Sequence, residues 1–154
     1  MALQTSAGSQ IFIGTTAGDA ITDSYQALAE VVDISEFGKS FQTIKHIAID
    51  SRETRKIKGS FDAGGVTLKL GRDLSDSGQA ALQSALDSDA AYNIQITLAD
   101  TPASGLSPTP TSFYFKALVT SFTTVIGSAD SLVGATAMLE ISGPVTEVAA
   151  ATGD

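Results

Sequence analysis

Apolar and polar side chains alternate along most of this chain, and a repeat of two residues is the pattern of β-strands. The clearest example is residues 66–70, in which Val66, Leu68 and Leu70 share one side. Residues 41–50 also alternate, but both alternating sets contain isoleucine, so the pattern leaves the buried face open. Further strands are predicted over residues 10–15, 27–37, 55–62, 92–99, 112–126 and 131–142. The chain is therefore predicted to be mainly β.

One segment has helical spacing instead. Between about residues 75 and 88, Ala81, Leu82, Ala85 and Leu86 recur every three to four positions. The polar residues just before this stripe are typical of the start of a helix. We therefore predict one helix, whose alanine-rich stripe packs closely against a sheet.

Glycine and proline mark the connections. Residues 63–65 predict a tight turn, because glycine readily adopts a positive φ, and the strands on either side are expected to pair. Three prolines predict a loop over residues 100–111. Within residues 112–126 the apolar phase shifts after Val119, which predicts a bulge or bend. We expect a single domain over residues 1–148, with a long inter-strand loop at about residues 50–59 and a flexible tail at 149–154.

Length and composition narrow the classes of protein. A chain of 154 residues forms one sizeable core rather than two, and the absence of cysteine excludes disulfides, thiolate metal sites and cysteine nucleophiles. The first eight residues lack the features of a secretory signal. No apolar stretch approaches the ~20 residues of a membrane-spanning helix, so we expect a soluble protein without membrane insertion.

Charge is distributed unevenly along the chain. The net charge of −8 disfavours an outer surface that grips nucleic acid. Residues 39–72 nevertheless hold eight of the nine basic side chains and three acids, net +5, which leaves −13 elsewhere. The densest basic run predicts an inter-subunit or inter-ring contact formed by Arg52, Glu53, Arg55, Lys56 and Lys58. A merely solvated hairpin and an anion-binding loop are the alternatives.

Catalytic and metal-binding patterns are poorly represented. His46 is the only histidine, so a Ser/His/Asp triad would need it, and Asp50 is the nearest acid on the same strand. We expect His46 to be a partly buried structural residue instead. Residues 73–78 and 87–89 are acidic but lack the spacing of a calcium loop, and no phosphate-binding loop is present. We expect no enzymatic activity, no metal and no cofactor.

Five segments, in their order and spacing, carry a likeness to a known family. They are TRKIKGSFDAGGVTLKL at 54–70, GQAAL at 78–82, YNIQITL at 92–98, FKALVTSF at 115–122 and LEISGPVT at 139–146. Together they resemble the major tail tube proteins of long, non-contractile (siphovirus-like) bacteriophage tails, over about residues 30–147.

The resemblance implies a β-sandwich or β-barrel of antiparallel strands with one flanking helix. It also implies a structural subunit that assembles into hexameric rings, stacked as a tube in the virion tail after assembly in the host cytoplasm. The implied partners are other copies of the chain, a tape measure protein in the lumen, tail terminator and tip or baseplate proteins, and DNA in transit. The family has no catalytic residue to carry over. Its connection between early strands reaches neighbouring rings and becomes ordered on assembly, and residues 50–59 are the matching position here.

Three other functions stay open at this stage. A tube subunit of a contractile injection or type VI secretion system would have a similar fold. A carbohydrate-binding β-sandwich adhesin is disfavoured because the chain has no tryptophan for sugar stacking. A small hydrolase would depend on His46.

Overall fold

The structure is a computed structural model that describes residues 3–153. Within those residues it confirms a mainly β chain with one helix. The elements are β1 (Gln10–Ile13), β2 (Gln26–Ala27), β3 (Val31–Ile34), β4 (Ser40–Ile47), β5 (Thr54–Asp62), β6 (Gly65–Gly71), α1 (Ser77–Leu86), β7 (Tyr92–Thr97), β8 (Ser112–Val125), β9 (Gly134–Ile141) and β10 (Thr146–Val148).

Eight strands form one antiparallel sheet in the order β2-β1-β7-β8-β9-β6-β3, with β10 beside β8. Val66, Leu68 and Leu70 of β6 are buried, as their alternation predicted. They belong to the same apolar cluster as Ile11 of β1 and Phe115 of β8. Strands from distant positions in the sheet thus share one core, so the sheet curves around it.

The helix α1 lies against this core and is anchored at its first turn. The carboxylate of Asp76 accepts hydrogen bonds from the N–H groups of Gln79 (3.1 Å) and Ala29 (3.0 Å). It therefore caps the helix and also holds the chain that leads from β2 to β3. Leu82 and Ala85 are completely buried on the inner side of the helix. The predicted helix is confirmed, with each end about two residues shorter.

Strands β4 and β5 form a separate two-stranded antiparallel ribbon, called here the ribbon, that pairs with no strand of the main sheet. The prediction that β5 pairs with β6 across residues 63–65 is wrong, because β6 lies between β3 and β9. A glycine turn restricts the local backbone but does not select the partner strand. Here the chain at residues 63–64 passes from the ribbon into the sheet.

Three further segments test predictions about where strands are interrupted and where the chain is unpaired. The strand predicted over residues 27–37 is divided, because Glu30 adopts a left-handed conformation with φ of 61°. The bulge predicted in β8 is confirmed by a register shift between Val119 and Ser121. The segment predicted as a flexible tail is hydrogen-bonded, since Ala151 and Thr109 exchange backbone hydrogen bonds of 2.8 and 3.1 Å. Backbone pairing requires no particular side chain, so the small polar composition of this tail did not predict it.

The connection between β1 and β2 is held to the face of the sheet away from the core. Asn93 of β7 is fully buried and donates a hydrogen bond to the Asp23 carboxylate (2.8 Å). Its oxygen accepts a hydrogen bond from the Lys116 ammonium (2.9 Å). Desolvation by itself raises the pKa of Asp23, but hydrogen bonds from Asn93, Thr15 and Ser24 together outweigh it and lower the pKa to about 2. The ionised carboxylate thus fastens this connection to the sheet.

Candidate functional site

Among residues 3–153, no segment covers either face of the ribbon. Every residue of β4 is exposed, and so is every residue of β5 except Gly59. Its strands pair antiparallel, with Ile44 opposite Ile57 and Phe41 opposite Phe61. A lone two-stranded hairpin is marginally stable in water, and a further strand or helix normally packs against it. The ribbon is therefore the part of the chain whose side chains most require a partner.

One face of the ribbon is apolar at its centre. Alternation along the strands puts Ile44, His46, Arg55 and Ile57 together, and this set is called here the isoleucine face. Ile44 is 55% exposed and Ile57 is 63% exposed. Next to them a Cβ at Gly59 would lie 3.2 Å from the Ile44 side chain, so the absent side chain keeps this face flat. The isoleucine face is an uncovered apolar strip with one guanidinium group beside it.

The opposite face combines two phenylalanines with lysines. The rings of Phe41 and Phe61 lie 5.4 Å apart between centroids, and their planes are tilted by 49°. The ammonium of Lys39, just before β4, is 4.7 Å from the Phe61 centroid, and that of Lys58 is 4.9 Å from the Phe41 centroid. Cations at such distances are attracted to the negative faces of the rings. This set, together with Lys45 and Lys56, is called here the lysine face.

Lys45 and Lys56 stand directly opposite each other across the ribbon. Like charges in such a cross-strand pair destabilise it. Residues 39–62 contain six basic and three acidic side chains, net +3, whereas the rest of the chain has three basic and 14 acidic ones, net −11. An acidic surface over the lysine face would relieve the repulsion between the two ammonium groups.

The five residues that the sequence singled out do not lie together. Arg52 and Glu53 are in the loop that joins β4 to β5, where the Glu53 N–H donates to the Ser51 hydroxyl (3.0 Å). Arg55 is on the isoleucine face, and Lys56 and Lys58 are on the lysine face. The predicted loop at about residues 50–59 is thus partly strand, because β5 begins at Thr54.

Sequence reasoning missed the β4 side of this site. Lys39, Phe41 and Lys45 precede the predicted basic run, and Phe61 follows it. The antiparallel pairing brings these residues beside Lys56 and Lys58. A signal was present in the sequence, because residues 41–50 were apolar on both alternating sets, as expected for a strand with no single buried face.

Two glycine-containing segments connect the ribbon to the sheet. Gly38 has φ of 146° and Gly64 has φ of 78°, which are conformations that favour glycine. An open cleft of about 570 Å³ lies at this base, with Phe37, Lys39 and Asp62 among its lining residues. The ribbon therefore joins the rest of the chain through two short glycine-containing segments.

The predicted environment of His46 is corrected by the structure. It is exposed rather than partly buried and lies opposite Arg55, because β4 has no second layer to bury it. Among residues 3–153, no three histidine or acidic side chains are placed to hold a metal ion. In that same part of the chain, no helix is both long enough and apolar enough to cross a membrane.

Comparison with known proteins bears on the fold. Neither a protein-family model nor a curated protein sequence matches this chain significantly. A chain of the SPP1 tail tube superposes with a TM-score of 0.66 at 14% identity, covering 95% of this chain and 77% of that one. A chain from the tail of an empty gene transfer agent particle, refined with C6 symmetry, superposes with a TM-score of 0.69 at 13% identity, covering 96% of this chain and 100% of that one. A chain from the sheath/tube terminator of an extracellular contractile injection system superposes with a TM-score of 0.69 at 16% identity, covering 97% of this chain and 99% of that one.

At these identities the similarity establishes the fold alone. The curved antiparallel sheet with one helix is the fold of chains from a phage tail tube, a gene transfer agent tail and a contractile injection system. It confirms the predicted fold class, a mainly β tail-tube type fold.

Proposed function

We propose that this chain is a structural, non-enzymatic subunit of a phage tail tube. Its copies assemble into hexameric rings, and the rings stack into the conduit of a long, non-contractile, siphovirus-like tail. The fold shared with the SPP1 tail tube supports this function, as does the sequence resemblance over residues 30–147. The C6 symmetry of the gene transfer agent tail supports six copies in a ring.

The uncovered ribbon is the observation that carries the proposal. Phe41, Ile44, Ile57 and Phe61 are between 41% and 63% exposed on a ribbon with free edges, which is an aggregation hazard in a monomer. Burial against other copies removes that hazard. Completing the burial of these half-exposed side chains contributes about 1 kcal/mol each, which is substantial when it is repeated around a ring.

The basic residues of the ribbon supply the polar part of this contact. Arg52, Arg55, Lys56 and Lys58, together with the acidic Glu53, form the proposed inter-subunit or inter-ring contact with neighbouring copies, in which the basic groups face acidic side chains. The division of charge into +3 for residues 39–62 and −11 elsewhere supports that pairing. Repetition of an acidic subunit around a channel also repels phosphate, as a DNA conduit requires.

The other proposed partners follow from the role of the chain as a tube subunit, because a tube has a lumen and two ends. The lumen holds a tape measure protein during assembly in the host cytoplasm and passes DNA afterwards without specific binding. Terminator and tip or baseplate proteins close the two ends in the virion tail. The chain carries out this role without a cofactor and without insertion into a membrane.

Electron microscopy tests the proposed function directly. The purified chain is imaged in negative stain over a concentration series, and native mass spectrometry is run on the same samples. Rings or tubes with sixfold stoichiometry are the expected result. A chain that stays monomeric at every concentration, and also after addition of a tail-tip complex, would overturn the proposal.

A charge variant tests the proposed contact. Substitution of Arg52, Arg55 and Lys56 by glutamate should stop tube growth at low salt and leave the monomer folded. The matched control exchanges Arg52 and Arg55 for lysine and Lys56 for arginine, which preserves the charge, and should assemble. Normal tubes from the glutamate variant would remove these residues from the contact.

A tube subunit of a contractile injection system is the second candidate. The likeness to a chain of a contractile injection system favours it, at a TM-score equal to that of the gene transfer agent tail. A sheath protein that binds the assembled tube would distinguish it from a non-contractile tail. Tubes that recruit no sheath support the first candidate.

A further inference from the structure

We infer that in the assembly the ribbon is covered on both faces, by two different surfaces that other copies of this chain supply. This inference rests on the proposed function and specifies the partner of the same site. A strand pair that lies on one surface has one apolar face and one polar face, because the second face stays in water. The ribbon departs from that pattern, since each of its faces has an apolar cross-strand pair. Ile44 lies opposite Ile57 at mid-length on one face, and Phe41 lies opposite Phe61 near the base of the ribbon on the other.

The isoleucine face fits an apolar surface that offers Arg55 an acid at its edge. Its central pair, Ile44 and Ile57, is more than half exposed, and Arg55 is the charged side chain beside it. Other copies carry exposed apolar side chains of the required kind. A group of them lies where β8 turns into β9, and it consists of Val125, Ile126, Leu132 and Val133.

The lysine face fits an acidic surface instead. Its two phenylalanines share the face with four lysines, of which Lys39 and Lys58 lie over the rings, and residues 41–47 and 54–61 contain no carboxylate. Asp62, the acid at the base of β5, pairs with Ser40 and lies far along the strand from Lys56, so it does not relieve the repulsion between Lys45 and Lys56. Most of the acids of the chain lie outside the ribbon, where the net charge is −11. A second copy thus provides the charge that this face lacks.

The two faces require different surfaces, and the chain's own sheet covers neither. Both strands of the ribbon are exposed along their lengths, and both stay outside the main sheet. Because an apolar strip and a lysine cluster point in opposite directions, one flat surface satisfies only one of them. Insertion of the ribbon between two surfaces of neighbouring copies satisfies both.

Two double variants separate the faces. Ile44→Ser with Ile57→Ser alters only the isoleucine face, and Lys45→Glu with Lys56→Glu alters only the lysine face. The matched controls are Ile44→Val with Ile57→Val, and Lys45→Arg with Lys56→Arg. The assembly concentration of each full-length chain is measured by light scattering and electron microscopy. Circular dichroism verifies that each monomer keeps its fold, which is expected because all four positions are exposed.

Both altered chains should need at least about tenfold more protein to assemble than the wild type, because each loses part of a buried contact. Added salt should partly restore the glutamate variant and leave the serine variant unchanged, since salt screens charges only. If either double variant assembles like the wild type while the other fails, the ribbon is covered on one face and the inference is wrong. A wild-type chain that never assembles overturns the proposed function itself.

Discussion

Replacement of Gln79 by leucine is expected to destabilise the folded chain strongly without creating a cavity. Gln79 lies in α1 and is completely buried. Its amide nitrogen donates to the carbonyl oxygens of Ala29 (3.1 Å) and Gly71 (2.8 Å). Its oxygen accepts from the N–H of Asp73 (3.0 Å) and the guanidinium of Arg72 (3.1 Å). These four hydrogen bonds fasten the helix to the β2–β3 connection and to the end of β6.

The magnitude follows from the loss of those bonds. Each contributes about 1 kcal/mol net, and a buried donor or acceptor left without its partner costs about 1–3 kcal/mol. Leucine has a similar size, so it fills the space but pairs with none of the four groups. The expected loss in the free energy of unfolding is therefore about 3–5 kcal/mol, a large share of the ~5–15 kcal/mol of a typical domain.

Urea unfolding followed by circular dichroism measures this loss. The matched control is Gln83→Leu, one turn further along α1, where an exposed side chain accepts a single hydrogen bond of 3.3 Å from Arg72. That control should lose less than about 0.5 kcal/mol. Both chains are compared below the concentration at which the wild type assembles, because association raises apparent stability. If Gln79→Leu costs no more than Gln83→Leu, the buried hydrogen bonds do not hold the helix in place.

Three further substitutions test the fold. Gly78→Ala should lower the free energy of unfolding by about 2–4 kcal/mol and lower the thermal midpoint with it, because a Cβ at Gly78 would lie 2.0 Å from the Ala27 carbonyl oxygen. Gly18→Ala, with open space around it, should change little, and equal midpoints would refute the clash. Leu82→Ala should cost about 2–5 kcal/mol in urea unfolding, since this side chain is completely buried; a loss under about 1 kcal/mol would contradict that role. The lowered pKa of Asp23, about 2 against an ordinary 3.8, contributes stability that is complete above pH 3.8 and disappears as the pH falls towards 2. This contribution is on the order of 1 kcal/mol after allowance for solvent screening, and an Asp23→Asn chain with the same acid titration of stability as the wild type would rule it out.

Much of the fold was predictable because it depends on neighbouring residues. The alternation at residues 66–70 indicates a strand with one covered face, and the apolar stripe around Leu82 indicates a helix that packs on a sheet. The phase shift after Val119 likewise corresponds to the bulge in β8. The pairing of β5 was mispredicted because the glycine turn at residues 63–65 is compatible with a hairpin and equally with a change of sheet.

The site was predictable only in part, for a related reason. A concentration of basic residues is visible in the sequence, so Arg55, Lys56 and Lys58 were found. Their distribution over two faces depends on the register with β4, which places Lys45 opposite Lys56. Register is a relation between two segments, and each segment by itself is compatible with several registers.

Sequence alone was enough to establish a mainly β chain, the position of its helix and its division into a basic segment and an acidic remainder. These properties follow from the spacing and type of side chains along the backbone. Tertiary contacts were needed to show that β4 and β5 stand apart from the sheet and that apolar side chains remain exposed on both of their faces. The physical reason is that burial depends on which distant segments approach a strand, and no segment of this chain covers the ribbon among residues 3–153.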